Sequence, residues 1–229
     1  DNSKVAILNQ IGEITVLSVG GDEESVKGVW THLSLSHDGK QLAAIANDYS
    51  LHSIPLGSQQ KADVLKMVYP AKMLQWGGNG VLYYSNIVGE FVEIDCKVGL
   101  KQSRSIQLAN SVFKVYPIPD ENQLLLISSD ALSLLDEEGF SLAREHRIKD
   151  EIIEAQLLRD NSGVLFMTQD QWGNSLSITR LSEFEKTHQI PVDNSVLDFL
   201  VNPVADSVIV LNSRGQFEQV NLSNLAKLA

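Results

Sequence analysis

The sequence predicts an all-β chain built as a β-propeller. Three observations carry that prediction. An apolar run recurs with markers Leu42, Leu82, Leu124, Leu165 and Ile209, at gaps of 40, 42, 41 and 44 residues. Each unit between markers holds several short apolar runs rich in Leu, Val and Ile. Turn-forming residues separate those runs before any could reach helical length. A period near forty residues with several strands per unit is the signature of propeller blades.

The elements follow in order. The first unit supplies only three strand-like runs, 4–8, 14–19 and 25–29. The second supplies 31–36, 41–46, 50–56 and 64–69. The third supplies 72–76, 81–85, 90–95 and 103–108. The fourth supplies 112–117, 123–128, 131–136 and 141–148, and the fifth 152–158, 164–168, 175–181 and 186–192. The last again supplies three, 196–201, 208–211 and 217–222. Short apolar runs of this kind suit strands buried on both faces. Residues 221–229 fit a short helical tail or the start of a continuation.

Turn chemistry fixes the register. Asp38-Gly39, Gly78-Asn79-Gly80 and Asp160-Asn161-Ser162-Gly163 lie between first and second strands. Each provides residues that tolerate positive φ, as hairpins require. Gly12, Gly89, Gly173 and Gly215 recur at the opening of third strands, where Asp48 and Asp130 stand in for glycine in two units. The expected architecture is one domain over residues 1–229, six blades with incomplete terminal ones. A seven-bladed ring, or an excised part of a larger chain, is the alternative. The sequence opens on Asp1 rather than Met, which fits a processed or excised piece.

Composition narrows the function. The chain has 18 Lys+Arg against 29 Asp+Glu, a formal net charge of −11. Nucleic-acid binding needs a basic stripe, and a polybasic membrane-surface site needs the same; neither is in the sequence. Cys96 is the only cysteine, so an intrachain disulfide is excluded. That usage fits the cytoplasm and also permits an oxidising compartment. No apolar run is long enough for a transmembrane helix, and no signal peptide is recognisable.

No sequence pattern marks a catalytic set. The Walker loop, nucleophile elbow, Rossmann fingerprint and HExxH are all missing. Gly77-Gly78-Asn79-Gly80 precedes a strand rather than a helix, so it reads as a hairpin turn and not a phosphate cradle. The five histidines, His32, His37, His52, His146 and His188, have no metal-ligand spacing. The acidic clusters 22–24, 136–138 and 150–151 read as solvated surface, and Asp160-Asn161-Ser162-Gly163 lacks the distal ligands of a calcium loop. The expectation is therefore a non-enzyme with no cofactor and no metal.

Tryptophans are the best candidates for contact with a partner. Trp172 falls in the longest second-to-third-strand loop, 169–174, where an exposed ring makes a natural hot spot. Its alternative is packing over a neighbouring blade. Gln171 flanks it, Tyr49 holds the corresponding loop of the second unit, and Arg214 that of the last. These four, Trp172, Tyr49, Gln171 and Arg214, are the expected partner-binding residues. Trp30 and Trp76 sit beside first strands and are expected in the core.

Two resemblances add to this reading. The stretch from Trp30 through His37-Asp38-Gly39-Lys40 to Ala43 resembles the first two strands of a WD40-type blade. The Gly-His and Trp-Asp dipeptides of that family are missing, so its His/Asp/Trp network does not carry over, and "WD40-like" is the fitting term. The endings at Gly12-Glu13-Ile14 and Arg214-Gly215-Gln216 are similar in style to the WD40-like extracytoplasmic insert of long bacterial phosphate-transporter permeases. That likeness implies a sensor or docking domain tethered to a membrane through flanking segments, and a periplasmic location. The repeat alone implies a protein-interaction platform. A propeller enzyme with a central-channel site is the third possibility.

Overall fold

The computed structural model describes residues 4–58, 60–78, 80–192, 195–202 and 207–222. Every run expected to be a strand is one, with ends moved by one or two residues in most cases. The twenty-two strands form six antiparallel sheets of three, four, four, four, four and three strands. The first is β1 (Lys4–Leu8), β2 (Ile14–Ser18) and β3 (Glu23–Val26). The second is β4 (Trp30–Leu35), β5 (Gln41–Ala46), β6 (Ser50–Pro55) and β7 (Asp63–Lys66). The third is β8 (Ala71–Trp76), β9 (Val81–Asn86), β10 (Glu90–Asp95) and β11 (Lys101–Gln107). The fourth is β12 (Val112–Ile118), β13 (Gln123–Ser128), β14 (Ala131–Asp136) and β15 (Ser141–Arg147). The fifth is β16 (Glu151–Leu157), β17 (Gly163–Asp170), β18 (Gly173–Arg180) and β19 (Thr187–Gln189). The last is β20 (Val196–Val201), β21 (Ser207–Asn212) and β22 (Phe217–Asn221). In each sheet the strands are neighbours in chain order. The six sheets are the expected blades of a β-propeller, with both terminal sheets one strand short. The expected tail over 221–229 falls, from residue 223, outside the described residues, as does Asn79 of the glycine-rich turn.

Burial explains why these sequences make strands. Second strands such as β5, β9 and β13 bury four or five consecutive residues each. A strand covered on both faces needs a continuous apolar run rather than alternation. Outer strands are polar and exposed, as in Ser141–Arg147. Each fully buried Leu or Ile contributes about 1.5–3 kcal/mol.

The first strands share a second periodic device. β4 bulges between Trp30 and His32, β8 between Ala71 and Met73, β16 between Ile152 and Glu154, and β20 between Val196 and Asp198. A bulge inserts one residue and sharpens the local twist. Its recurrence near the same point of these four sheets is invisible in the residue types.

The chain forms two compact units, Asp1–Pro117 with Glu138–Ser141, and Ile118–Glu137 with Leu142–Ala229. In the first, Ile14, Val16, Trp30 and Leu42 make one core, and Leu74, Trp76, Leu82 and Tyr84 belong to another. Trp30 and Trp76 are both buried, as expected. A stacked series runs Tyr83–Phe91–Phe140, with ring centroids 5.7 and 5.9 Å apart. Arg104 lies 4.7 Å over the Phe140 ring and pairs with buried Glu93. In the second unit, Leu165, Leu176, Ile178, Val196, Phe199 and Val208 make the core.

Candidate functional site

The site grows from one hairpin of the second unit. β17 and β18 pair from Gly163↔Arg180 to Asp170↔Gly173. Only Gln171 and Trp172 remain to cross between them. The loop expected over 169–174 is therefore a two-residue turn, because both strands run further than their apolar cores. Asp170 secures it: one carboxylate oxygen accepts the Trp172 amide at 2.7 Å and the Gly173 amide at 3.0 Å. Asp and Asn side chains stabilise turns this way.

Trp172 projects from that turn with 85% of its surface exposed. A large ring left in water on a braced hairpin is an uncommon arrangement for a side chain whose burial is so favourable. Gln171 beside it is also exposed.

Ser195 joins this turn to the last sheet. Its Oγ accepts the Asn174 amide at 2.7 Å, while Asn174 Nδ2 donates to the Val196 carbonyl at 2.9 Å. The Ser195 carbonyl accepts the Ser213 amide at 2.7 Å. Ser213 opens the β21–β22 turn that carries Arg214. Asn212 holds that turn: its Oδ1 accepts the Arg214 amide at 3.0 Å and the Gln216 amide at 3.1 Å. The same bonds recur at Asn9 and Asn86. The true repeat signal is thus Asn-x-x-Gly-Glu/Gln, of which the glycine was the visible part.

Beside the Trp172 turn lies a groove of about 550 Å³. Trp172, Asn174, Gln189, Pro191 and Ser195 line it, over an apolar floor that includes Ile190 and Leu176. None of its lining residues is His, Cys, Lys or Arg. An aromatic anchor, fixed amides and an apolar floor suit recognition of a surface or peptide.

The structure brings Gln171, Trp172 and Arg214 into one unit, linked through Ser195. Tyr49 belongs to the other unit. There it crowns the β5–β6 turn at φ 66°, with its amide donating to the Ala46 carbonyl. The adjoining Asp48 pairs with Lys66 at 2.9 Å and accepts from Ser50. These donors hold its carboxyl well below the usual carboxylate range, the Ser50 hydroxyl foremost. Ser195, Asn174 and Gln189 were missed, since a lone Ser or Gln carries no sequence signal.

Burial shifts several other titratable groups. Burial pushes the Cys96 thiol up to about 12, with Asp95 and Asp63 adding to the shift. Burial lowers His32, His52 and His146, against the opposing backbone bond at Lys72, the charge of Asp48 and the charge of Glu185 respectively. His52 meets Trp30 edge-on at 5.0 Å, and His146 hydrogen-bonds Thr187 at 2.9 Å. Glu24 of the first acidic cluster accepts the Gly57 amide at 3.2 Å. Among the described residues, no group of three or more His, Cys, Asp or Glu could hold a metal ion. No helix of the described residues is long and apolar enough to cross a membrane.

Comparison with solved structures identifies the architecture. Hydrazine synthase from Kuenenia stuttgartiensis aligns with a TM-score of 0.77 at 15% identity, over 100% of this chain and 76% of that one. A chain of the mitotic checkpoint complex aligns with a TM-score of 0.75 at 12% identity, over 96% of this chain and 71% of that one. Both are β-propeller proteins. One is named as a synthase and the other as a complex, so the likeness fixes the fold and leaves activity open. No protein-family model matches the chain, and no curated protein matches it in sequence. The resemblance to permease inserts therefore gains nothing from these comparisons.

Proposed function

We propose that this β-propeller is a non-enzymatic protein-interaction platform whose principal anchor is Trp172. The observation that supports it is the exposed Trp172 ring on a braced two-residue turn, next to a groove with an apolar floor. Pre-organisation lowers the ordering cost of binding. The Asp170 and Ser195 hydrogen bonds supply it before any partner arrives. Trp is among the residues most enriched at interface hot spots. Gln171 and Arg214 add polar contacts at the rim, and Tyr49 serves a separate contact on the other unit. Residues 1–229 act as one domain in this reading, which rests on the unbroken repeat.

Partner capture tests the proposal. Proteins that co-purify with the wild-type chain should be lost with Trp172→Ala and retained with Val98→Ala, a similarly exposed apolar change. Truncation of a central Trp anchor costs about 2–4 kcal/mol, or roughly thirty- to a thousandfold in affinity. Capture that is unchanged by Trp172→Ala refutes the assignment.

A further inference from the structure

The connections of the first unit divide by end. In an antiparallel sheet whose strands lie in chain order, alternate connections fall at alternate ends. The turns β1–β2, β5–β6 and β9–β10 therefore share an end with the links β3–β4, β7–β8 and β11–β12. Backbone bonds join them into one series. The Gly12 carbonyl accepts the Trp30 amide at 2.8 Å, and the Val29 carbonyl accepts the Asn47 amide at 3.2 Å. The Tyr49 carbonyl accepts Met67, the Pro70 carbonyl accepts Ile87, and the Gly89 carbonyl accepts Leu108, at 3.1, 3.1 and 2.9 Å.

That end carries the exposed apolar side chains. Ile11, Val29, Tyr49, Val68, Ile87 and Val88 are all exposed there, Ile11 at 71% and Val68 at 80%. In the connections at the opposite end, Val19 and Val98 are the only exposed large apolar residues among those described. Single exposed apolar residues are ordinary, whereas a group on linked turns marks an interaction site. The turns are also fixed in place. Asn9 Oδ1 accepts the Ile11 and Glu13 amides at 3.1 and 2.9 Å, and Asn86 Oδ1 accepts the Val88 and Glu90 amides at 3.1 and 3.0 Å.

Composition and charge say what meets this end. Five of the six residues are Val or Ile, and Val is under-represented at protein hot spots, where Trp, Tyr and Arg lead. They stand singly on five separate connections. Hydrocarbon takes up such side chains by apolar area alone and asks for no matching pocket. Tyr49 among them is amphipathic, as residues at lipid headgroup level are. The carboxylates of this end are engaged: Glu13 by Asn9 at 3.2 Å, Glu90 by Asn86 at 3.0 Å and Asp48 by Lys66 at 2.9 Å. Lys27 and Lys72 are exposed here, and among the described residues neither ammonium forms a hydrogen bond or ion pair. In a chain of net charge −11, two unpaired cations beside apolar tips suit phosphate headgroups over acyl chains.

We propose that this end of the first unit rests on a lipid bilayer, with Ile11, Val29, Val68, Ile87 and Val88 in the acyl boundary and Lys27 and Lys72 at lipid phosphates. Apolar area carries the contact, so it needs no basic stripe. It names what meets the separate Tyr49 contact proposed above and stands without the Trp172 anchor.

Flotation of the full chain with vesicles is the test. The probes are vesicles of phosphatidylcholine alone and of phosphatidylcholine with about a third phosphatidylglycerol. The chain should float with both, and more with the second. Ile11→Ser combined with Val68→Ser should weaken binding to both at least roughly tenfold. Val19→Ser combined with Val98→Ser, the same kind of change at the opposite end, should leave it unaltered. Lys27→Glu combined with Lys72→Glu should remove the preference for the anionic vesicles. Far-UV circular dichroism and the melting temperature check that each variant is folded. Absence of flotation overturns the proposal and leaves the Trp172 capture assay untouched. Binding confined to anionic vesicles and indifferent to Ile11→Ser with Val68→Ser is charge adsorption and overturns it. Dimers in sedimentation equilibrium without lipid, abolished by that same pair of changes, would assign the end to self-association and overturn it too.

Discussion

Replacing Glu93 by Ala should cost the chain a large part of its stability. Glu93 is buried, and its carboxylate accepts Arg104 Nη2 at 2.5 Å, Arg104 Nε at 3.0 Å and Ser103 Oγ at 2.7 Å. Removing one member of a buried pair costs about 3–5 kcal/mol, because the survivor keeps an uncompensated charge. The Arg104 side chain is about a third exposed (34%), so water recovers part of that loss. The expected penalty is therefore about 2–3 kcal/mol. At about 2–4 °C per kcal/mol for a chain of this length, the melting temperature should fall by roughly 4–12 °C. Urea denaturation should show a lower midpoint with an unchanged slope. Arg104→Met should cost at least as much as Glu93→Ala, because it strands the more deeply buried Glu93 carboxylate and removes the cation over Phe140. A Glu93→Ala stability within about 0.5 kcal/mol of wild type, the range of ordinary surface changes, would refute the buried-pair argument.

Three further outcomes follow. Gly89 has φ +84° and an added Cβ would sit 2.6 Å from the Leu108 carbonyl oxygen, whereas Gly215 has φ +74° and open space. Gly215→Ala should cost about 1–2 kcal/mol of backbone strain, and Gly89→Ala about 1–3 kcal/mol more from the clash; equal losses by urea titration would refute this. The lowered His32, His52 and His146 bind fewer protons folded than unfolded. Stability should thus be full above the ordinary histidine pKa near 6.5 and decline as pH falls through it; a urea midpoint at pH 5.5 no lower than at pH 7.5 would contradict the burial argument. Cys96 should react slowly with iodoacetamide at pH 8 in the folded chain and at the rate of a free thiol in 6 M guanidinium, and equal rates would refute its placement.

The strands were legible because each second strand is a continuous Leu/Val/Ile run between turn residues. Hairpin glycines at 12, 89 and 215 marked register for the same reason. The first-strand bulges were not legible, since they depend on how strands twist against neighbours rather than on residue type. Nothing in the residue types marks Glu93 as buried; its partner Arg104 comes from the neighbouring strand, opposite it in register. The Trp172 turn looked like a long loop because Gln169, Asp170 and Asn174 are polar, yet the ladder continues through them. The Ser195 clamp joins Asn174 to Ser213 across many residues of sequence, and no local pattern announces it. Burial of Trp30 and Trp76 was readable from their first-strand positions.

Tryptophan fluorescence offers the most direct test of the central claim. Trp30 and Trp76 are buried while Trp172 is exposed, so acrylamide should quench one component strongly, and Trp172→Phe should remove that component. Adding a partner captured by the wild-type chain should protect the same component and shift its emission to the blue. A captured partner that binds with undiminished affinity and leaves the Trp172 quenching constant unchanged would contradict the account.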